Sequence, residues 1–316
     1  MNSELREFIE KLIPRLKEHY GEEYCVKHNE VTKNNGHVRN AIVIQKEGDN
    51  VTPNIYIDEL FDDYLQGETF ADIVREIIKI RDDNDITDKI DIDFLHDYSK
   101  VIDKLGVKLV NRDRNEELLK DVPYKTFSDL VILFFISISN DAIGDGTILI
   151  NNSIFKDWNI TLDQLYEDAI NNMTFKYPPE RSHIIDTLIE MYAKKHNADT
   201  SCLKEAINDW ISFVRSVDYS DRRMYVLTNT SKWLGASVIC YKGMLKELGD
   251  YFESDYFILP SSIHEVILVP YEDNFERYEF NDMVHEINMA EVGAEELLSD
   301  HAYRYIRESD ELIALI

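Results

Sequence analysis

Apolar residues recur at helical spacing near the start of the chain: Leu5, Phe8, Ile9, Leu12, Ile13 and Leu16 fall on one face. Residues 3–19 are therefore expected to form an amphipathic helix, kinked or broken at Pro14. Two strand-like runs follow, Tyr24–Val31 and Val38–Gln45, joined through Lys33-Asn34-Asn35-Gly36, and Asn-Gly is a strong hairpin signal. Residues 54–65 and 69–81 return to a helical pattern, separated by Gly67. In the middle of the chain, Leu130–Ser139 is a β-branched and aromatic run that predicts a strand, with a second over Thr147–Asn151. Thr161-Leu-Asp-Gln164 has the spacing of a capping box and predicts a helix running to Asn171. A helical stretch is expected over 181–216. Strands are expected at Met224–Asn229, Gly235–Tyr241, Tyr256–Leu259 and Glu265–Val269. Short helices are expected at Lys242–Leu248, Phe280–Met289 and Glu295–Tyr305.

These elements predict an α+β fold of helices mixed with short antiparallel sheets, in two or three subdomains. The expected division is a helix–hairpin–helix module at 1–100, a central α+β region at 101–220, and a C-terminal α+β region at 221–316. At 316 residues with 44% hydrophobic composition, the chain is long and apolar enough to fold and to divide in this way.

Charge sharpens the picture. There are 61 Asp and Glu against 34 Lys and Arg, a formal net charge of -27. Such a chain repels phosphate backbones, and its densest basic stretch, Lys104 to Lys125, is interrupted by Asp113, Glu116, Glu117 and Asp121. Direct nucleic-acid binding is not expected. The acids gather in 82–97 and in 272–311, where 13 acids meet 3 basic residues. Either they form a solubilising coat, or they imitate a phosphate backbone and occupy the basic channel of a nucleic-acid-processing enzyme. The three cysteines, Cys25, Cys202 and Cys240, are widely spaced, which points away from a disulfide framework and towards a reducing compartment. The longest apolar run, Leu130–Ile136, is far short of the roughly 20 residues of a membrane-spanning helix. A cytoplasmic protein is expected, with no membrane partner.

Several segments carry a resemblance to a known family. They are Lys33-Asn-Asn-Gly36, Tyr56-Ile-Asp-Glu59, Asn115-Glu-Glu-Leu-Leu119 with Val122-Pro123, and Phe127-Ser-Asp-Leu130. Further along come Gly146-Thr-Ile-Leu-Ile150, Tyr225-Val-Leu-Thr-Asn229, Leu259-Pro-Ser-Ser-Ile-His-Glu-Val266 and Leu298-Ser-Asp300. Over nearly its whole length the chain resembles the uncharacterised bacterial "domain of unknown function 5688" family. The resemblance implies no activity. It implies an accessory bacterial protein, often in or near mobile elements.

The residues that could carry chemistry are few. The segment Pro260-Ser-Ser-Ile-His-Glu265 sets Ser261, Ser262, His264 and Glu265 between two apolar runs. A hydrolase would use Ser261 or Ser262 as nucleophile and His264 as base. In an extended segment Ser262 and His264 share a face, while Glu265 points away and cannot orient the imidazole. The same residue types also build a tight turn, in which hydroxyl and imidazole bond neighbouring backbone. A metal would draw on His264 and Glu265 with His285 and Glu286, but no H-E-x-x-H spacing is present. No cofactor is expected. The reading that emerges is a non-enzymatic protein acting through protein–protein contact. The alternatives are an acidic nucleic-acid mimic that inhibits a restriction, CRISPR or related enzyme, and a hydrolase using Ser262 and His264.

Overall fold

A computed structural model describes residues 3–49, 52–84, 93–140, 144–196, 224–260, 262–271 and 277–316. The fold is α+β. The chain divides into two compact units, Met1–Tyr98 with Ser137–Ile148, and Ser99–Ile136 with Leu149–Ile316.

In the first unit, helix α1 (Ser3–Tyr20) buries Leu5, Phe8, Ile9, Leu12 and Leu16, the face its periodicity predicts. It runs through Pro14 as one element. Pro14 and Glu10, whose carbonyl the ring leaves without a donor, both lie on the exposed face, where water can serve that carbonyl. Strands β1 (Tyr24–Thr32) and β2 (Val38–Lys46) pair in the expected hairpin, with Thr32 opposite Val38. Asn35 and Gly36 at its tip have φ of 60° and 67°, which is why Asn-Gly stands there.

The expected helix over 54–65 divides. Asn54–Tyr56 forms a third strand, β3, on β2, and helix α2 begins only at Asp58 and ends at Leu65. Ile55 and Ile57 are both buried, a period of two that suits a strand. Helix α3 (Phe70–Asp83) is capped by Thr69, whose hydroxyl accepts the Asp72 N–H at 3.2 Å. Two of the segments behind the family resemblance meet here: Lys33 and Arg39 lie over the Tyr56 ring at 4.5 and 4.8 Å. Asp58 accepts from the backbone and side-chain nitrogens of Asn40 at 2.9 and 2.8 Å.

The second unit contains β4 (Leu105–Asn111) and β5 (Tyr124–Phe127), both paired with the opening residues of β6 (Leu130–Asn140). The chain continues into β7 (Gly144–Leu149), which also pairs with β6. Strand β4 lies inside the stretch notable in the sequence only for its lysines and arginines. Its Leu105, Val107, Leu109 and Val110 are buried. A Cβ on Gly106 would fall 2.4 Å from Phe135 Cζ, so that glycine makes room for the ring. The helix Leu162–Lys176 starts as predicted, with the Thr161 hydroxyl accepting the Gln164 N–H at 3.1 Å. Gln164 itself turns forward to Asp168.

The larger sheet is antiparallel and contains β8 (Pro179–His183), β9 (Tyr225–Asn229), β10 (Tyr256–Leu259), β11 (Val266–Pro270), β12 (Tyr303–Ile306) and β13 (Glu311–Ala314). Their order is β13-β12-β10-β11-β9-β8. Alternation along β10 sends Phe257 and Leu259 to the helix Arg277–Glu291, where the Phe257 and Phe280 rings are 4.5 Å apart. Tyr256 faces the helix Met244–Phe252, and its hydroxyl reaches the Leu245 carbonyl at 3.0 Å. With both faces covered, the central strands read as continuous apolar runs.

Three expectations change in this region. Residues 181–183 belong to β8, the helix that follows is Ile184–His196, and the remainder of the expected 181–216 helix lies outside the described residues. Gly235–Cys240 is a buried 3-10 turn instead of a strand, because Leu234 enters it left-handed and Gly235 lies flush on β9. Glu295–Tyr305 is a turn leading into β12, because Ser299 bonds locally to His301 and the alternation of Tyr303 and Tyr305 fits a strand.

Candidate functional site

The register of the six-stranded sheet gathers its connections at one end. Val266 is opposite Leu227, Leu259 opposite Ile267, and Ile258 opposite Tyr303. Strands β9 and β10 therefore finish where β11 and β12 begin, and the loops 230–236, 260–265 and 292–302 share that end.

Within the 260–265 loop, Ser262 is 5% exposed. Its Oγ accepts the His264 backbone N–H at 3.0 Å and donates to Glu265 Oε1 at 3.4 Å. The Ser262 N–H donates to the Glu265 carbonyl at 3.3 Å, which closes the turn. Glu265 thus serves Ser262. Burial raises its carboxyl above the usual carboxylate range, against the opposing pull of His264 and the Ser262 bond, and with a further upward push from Glu296. Ser261 lies outside the described residues.

The His264 ring faces elsewhere. Its Nδ1 accepts the Leu234 backbone N–H at 3.1 Å, and its Nε2 lies 3.5 Å from the Glu296 carboxylate. The His264 carbonyl accepts the Thr228 hydroxyl at 2.8 Å, and the Ile263 carbonyl accepts the Ala236 N–H at 3.2 Å. Ser262 and His264 are therefore neighbours joined through backbone, and the imidazole is bonded to the adjacent loop.

That adjacent loop is unusually constrained. Asn229, fully buried at the end of β9, donates from Nδ2 to the Trp233 carbonyl at 2.9 Å. Its Oδ1 accepts the Ser231 N–H at 3.0 Å and the Ser231 hydroxyl at 2.8 Å. Lys232 and Leu234 both have positive φ, 55° and 52°, and residues with a Cβ pay for that conformation. A Cβ on Gly235 would sit 2.0 Å from Thr228 Oγ1 and 2.4 Å from the His264 carbonyl oxygen. Between the two left-handed residues, Trp233 remains 40% exposed, its indole set edge-on to Phe135 at 5.6 Å.

A second polar cluster lies beside it. Asp129, at the turn between β5 and β6, accepts the Tyr303 hydroxyl at 2.8 Å and lies 3.1 Å from His301 Nε2. Burial would raise the Asp129 carboxyl, but the contacts of His301 and Tyr303 outweigh it and hold the group below the usual range. Burial pushes the Tyr303 phenol up, so it stays a donor. Arg114 pairs with Asp300 at 2.6 Å, and Asn111 donates to the Leu298 carbonyl at 3.2 Å.

His285 and Glu286 are exposed on the helix Arg277–Glu291. Among the described residues, no group of three or more His, Cys, Asp and Glu is placed to hold a metal. A family model described as a family of unknown function, DUF5688, matches residues 5–307. The chain belongs to that family. Neither the curated proteins nor the solved structures contain a match to it.

Four of the segments that carry the DUF5688 resemblance converge on this end of the sheet. Tyr225–Asn229 supplies the loop anchor, Leu259–Val266 the turn and His264, Leu298–Asp300 the buried Ser299, and Phe127–Leu130 the Asp129 carboxylate. Sequence reasoning singled out His264 but missed Asn229, Trp233, Leu234 and Glu296. An Asn at a strand end, four residues before a Trp-Leu-Gly run, is the signal that could have drawn attention to the loop.

Proposed function

We propose that this member of the DUF5688 family is a non-enzymatic protein that acts through protein–protein contact, and that the 230–236 loop is its contact surface. One observation carries the reading. A partly exposed tryptophan is held on a loop whose every turn is bonded or strained into place. Rigid aromatic anchors concentrate binding energy at interfaces, and ordering the loop in advance lowers the entropy cost of association.

The partner is proposed to be cationic. The chain carries a net charge of -27, and Glu296 on the neighbouring loop keeps its carboxylate half exposed. A basic nucleic-acid-processing enzyme fits that description, and the acidic-mimic reading is the special case in which the contact blocks such an enzyme's channel. The proposed setting is the bacterial cytoplasm, near mobile elements, which suits the free exposed thiol of Cys25. A hydrolase reading would need the Ser262 hydroxyl to turn from Glu265 towards the His264 ring.

The test is affinity capture from host cells with the wild-type chain and with Trp233→Ala, followed by titration of the captured protein in purified form. The reading predicts an affinity loss of about 30-fold or more for Trp233→Ala, the scale of an interface hot spot. It also predicts weakening with salt. Equal affinity of both chains for every captured protein would reject it.

A further inference from the structure

The peptide group joining Trp233 to Leu234 is held on both sides by side chains. Its carbonyl accepts from Asn229 Nδ2 at 2.9 Å, and its N–H donates to His264 Nδ1 at 3.1 Å. The amide of Asn229 does not titrate. The imidazole does, and only its neutral form with Nδ1 unprotonated can accept from Leu234. Deeper in the same loop, the Thr228–His264 and Ala236–Ile263 bonds involve only hydroxyl and backbone groups, so they are indifferent to protonation.

Among the described residues, the Glu296 carboxylate lies 3.5 Å from Nε2, and the Glu265 carboxylate interacts with both His264 and Glu296. An imidazolium would point a new N–H at the Leu234 N–H and remove that donor's acceptor. The Leu234 backbone, at φ 52°, would then lose the bond that compensates its left-handed conformation.

We infer that His264 is a proton-operated latch: protonation of its ring releases the Leu234 N–H and lets the segment carrying Trp233 leave its ordered conformation. The latch rests on the proposed contact surface for its biological consequence, namely that the surface is formed at neutral pH and dismantled in acid. Its physical operation depends on His264 and the loop alone, and needs no partner to be observed.

The experiment follows tryptophan emission from pH 8 to pH 5 in the full chain, in Trp233→Phe and in His264→Asn. An asparagine Oδ1 stands near the Nδ1 position, accepts the same bond and does not titrate in this range. The wild type is expected to show a transition that disappears in Trp233→Phe, where only Trp158 and Trp210 remain, and also in His264→Asn. A companion measurement needs no variant: exchange protection of the Leu234 amide is expected to fall about fivefold to tenfold across the transition, the scale of one hydrogen bond, while that of Ala236 holds. An unchanged transition in His264→Asn, or constant Leu234 protection in the wild type, would overturn the latch. Neither result would touch the contact reading, which stands or falls on Trp233→Ala.

Discussion

Asn229 holds Trp233 from below: the buried amide at the end of β9 donates to the tryptophan's carbonyl at 2.9 Å while its oxygen takes two bonds from Ser231. One of the side chains that shape the loop is therefore completely removed from water. Asn229→Ala is expected to destabilise the fold by about 2–3 kcal/mol, since it removes the shorter of the two bonds to the Trp233 carbonyl and the acceptor of the Ser231 N–H. Urea unfolding checks this, with the midpoint falling at constant slope; an unchanged midpoint would show that the loop is ordered by something else.

Gly235 makes a sharper prediction. Any Cβ there meets Thr228 Oγ1, the His264 carbonyl and the Asn229 nitrogen at once, at 2.0, 2.4 and 2.8 Å. Two of those three atoms are backbone and cannot yield cheaply. Gly235→Ala is expected to cost more than about 3 kcal/mol, or to prevent folding, where an unstrained Gly→Ala would be mildly stabilising. Lys232 is the converse case. It is exposed with φ 55°, and Lys232→Gly is expected to raise the urea midpoint slightly, by up to about 1 kcal/mol.

The two carboxylates at this end of the sheet predict opposite pH behaviour. Asp129 has a folded pKa below the ordinary value. Its contribution is present above the unfolded value, near 3.9 for a free aspartate, and is lost as pH falls through the folded value. Stability should therefore fall in acid more steeply for the wild type than for Asp129→Asn. Glu265 is the reverse, because burial raises its folded pKa. Its protonated form is favoured in the fold, so its contribution is lost as pH rises through that raised value. Glu265→Gln is expected to gain stability relative to wild type between the acid range and neutrality. Unfolding midpoints measured from pH 3 to pH 8 in all three proteins check both signs.

The sequence announced the parts of this fold whose cause is local. Asn35-Gly36 marks its own turn through backbone freedom, Thr161 marks a helix start through one hydroxyl, and α1 declares its buried face through spacing. The parts it concealed depend on distant partners. Gly235–Cys240 has a strand-like composition, but Gly235 is pressed against Thr228 and His264, contacts that no local pattern encodes. Ser299, Asp300 and His301 sit in a stretch with helical composition whose structure is decided by Asp129 and Arg114, more than 170 positions away. For the site, His264 was visible by its chemistry, whereas the partner that gives it meaning is a backbone N–H, which no residue type reveals.

The central claim is that Trp233 touches another protein, and site-specific photo-cross-linking in living bacterial cells tests it most directly. A photoreactive phenylalanine analogue would replace Trp233 in one strain and Phe175 in another, since Phe175 is 87% exposed on a helix of the same unit and serves as an aromatic control. A discrete cross-linked protein is expected from position 233 and not from 175, with a basic surface and a yield that declines as salt rises in lysate. Identical cross-linking patterns from the two positions would contradict the claim.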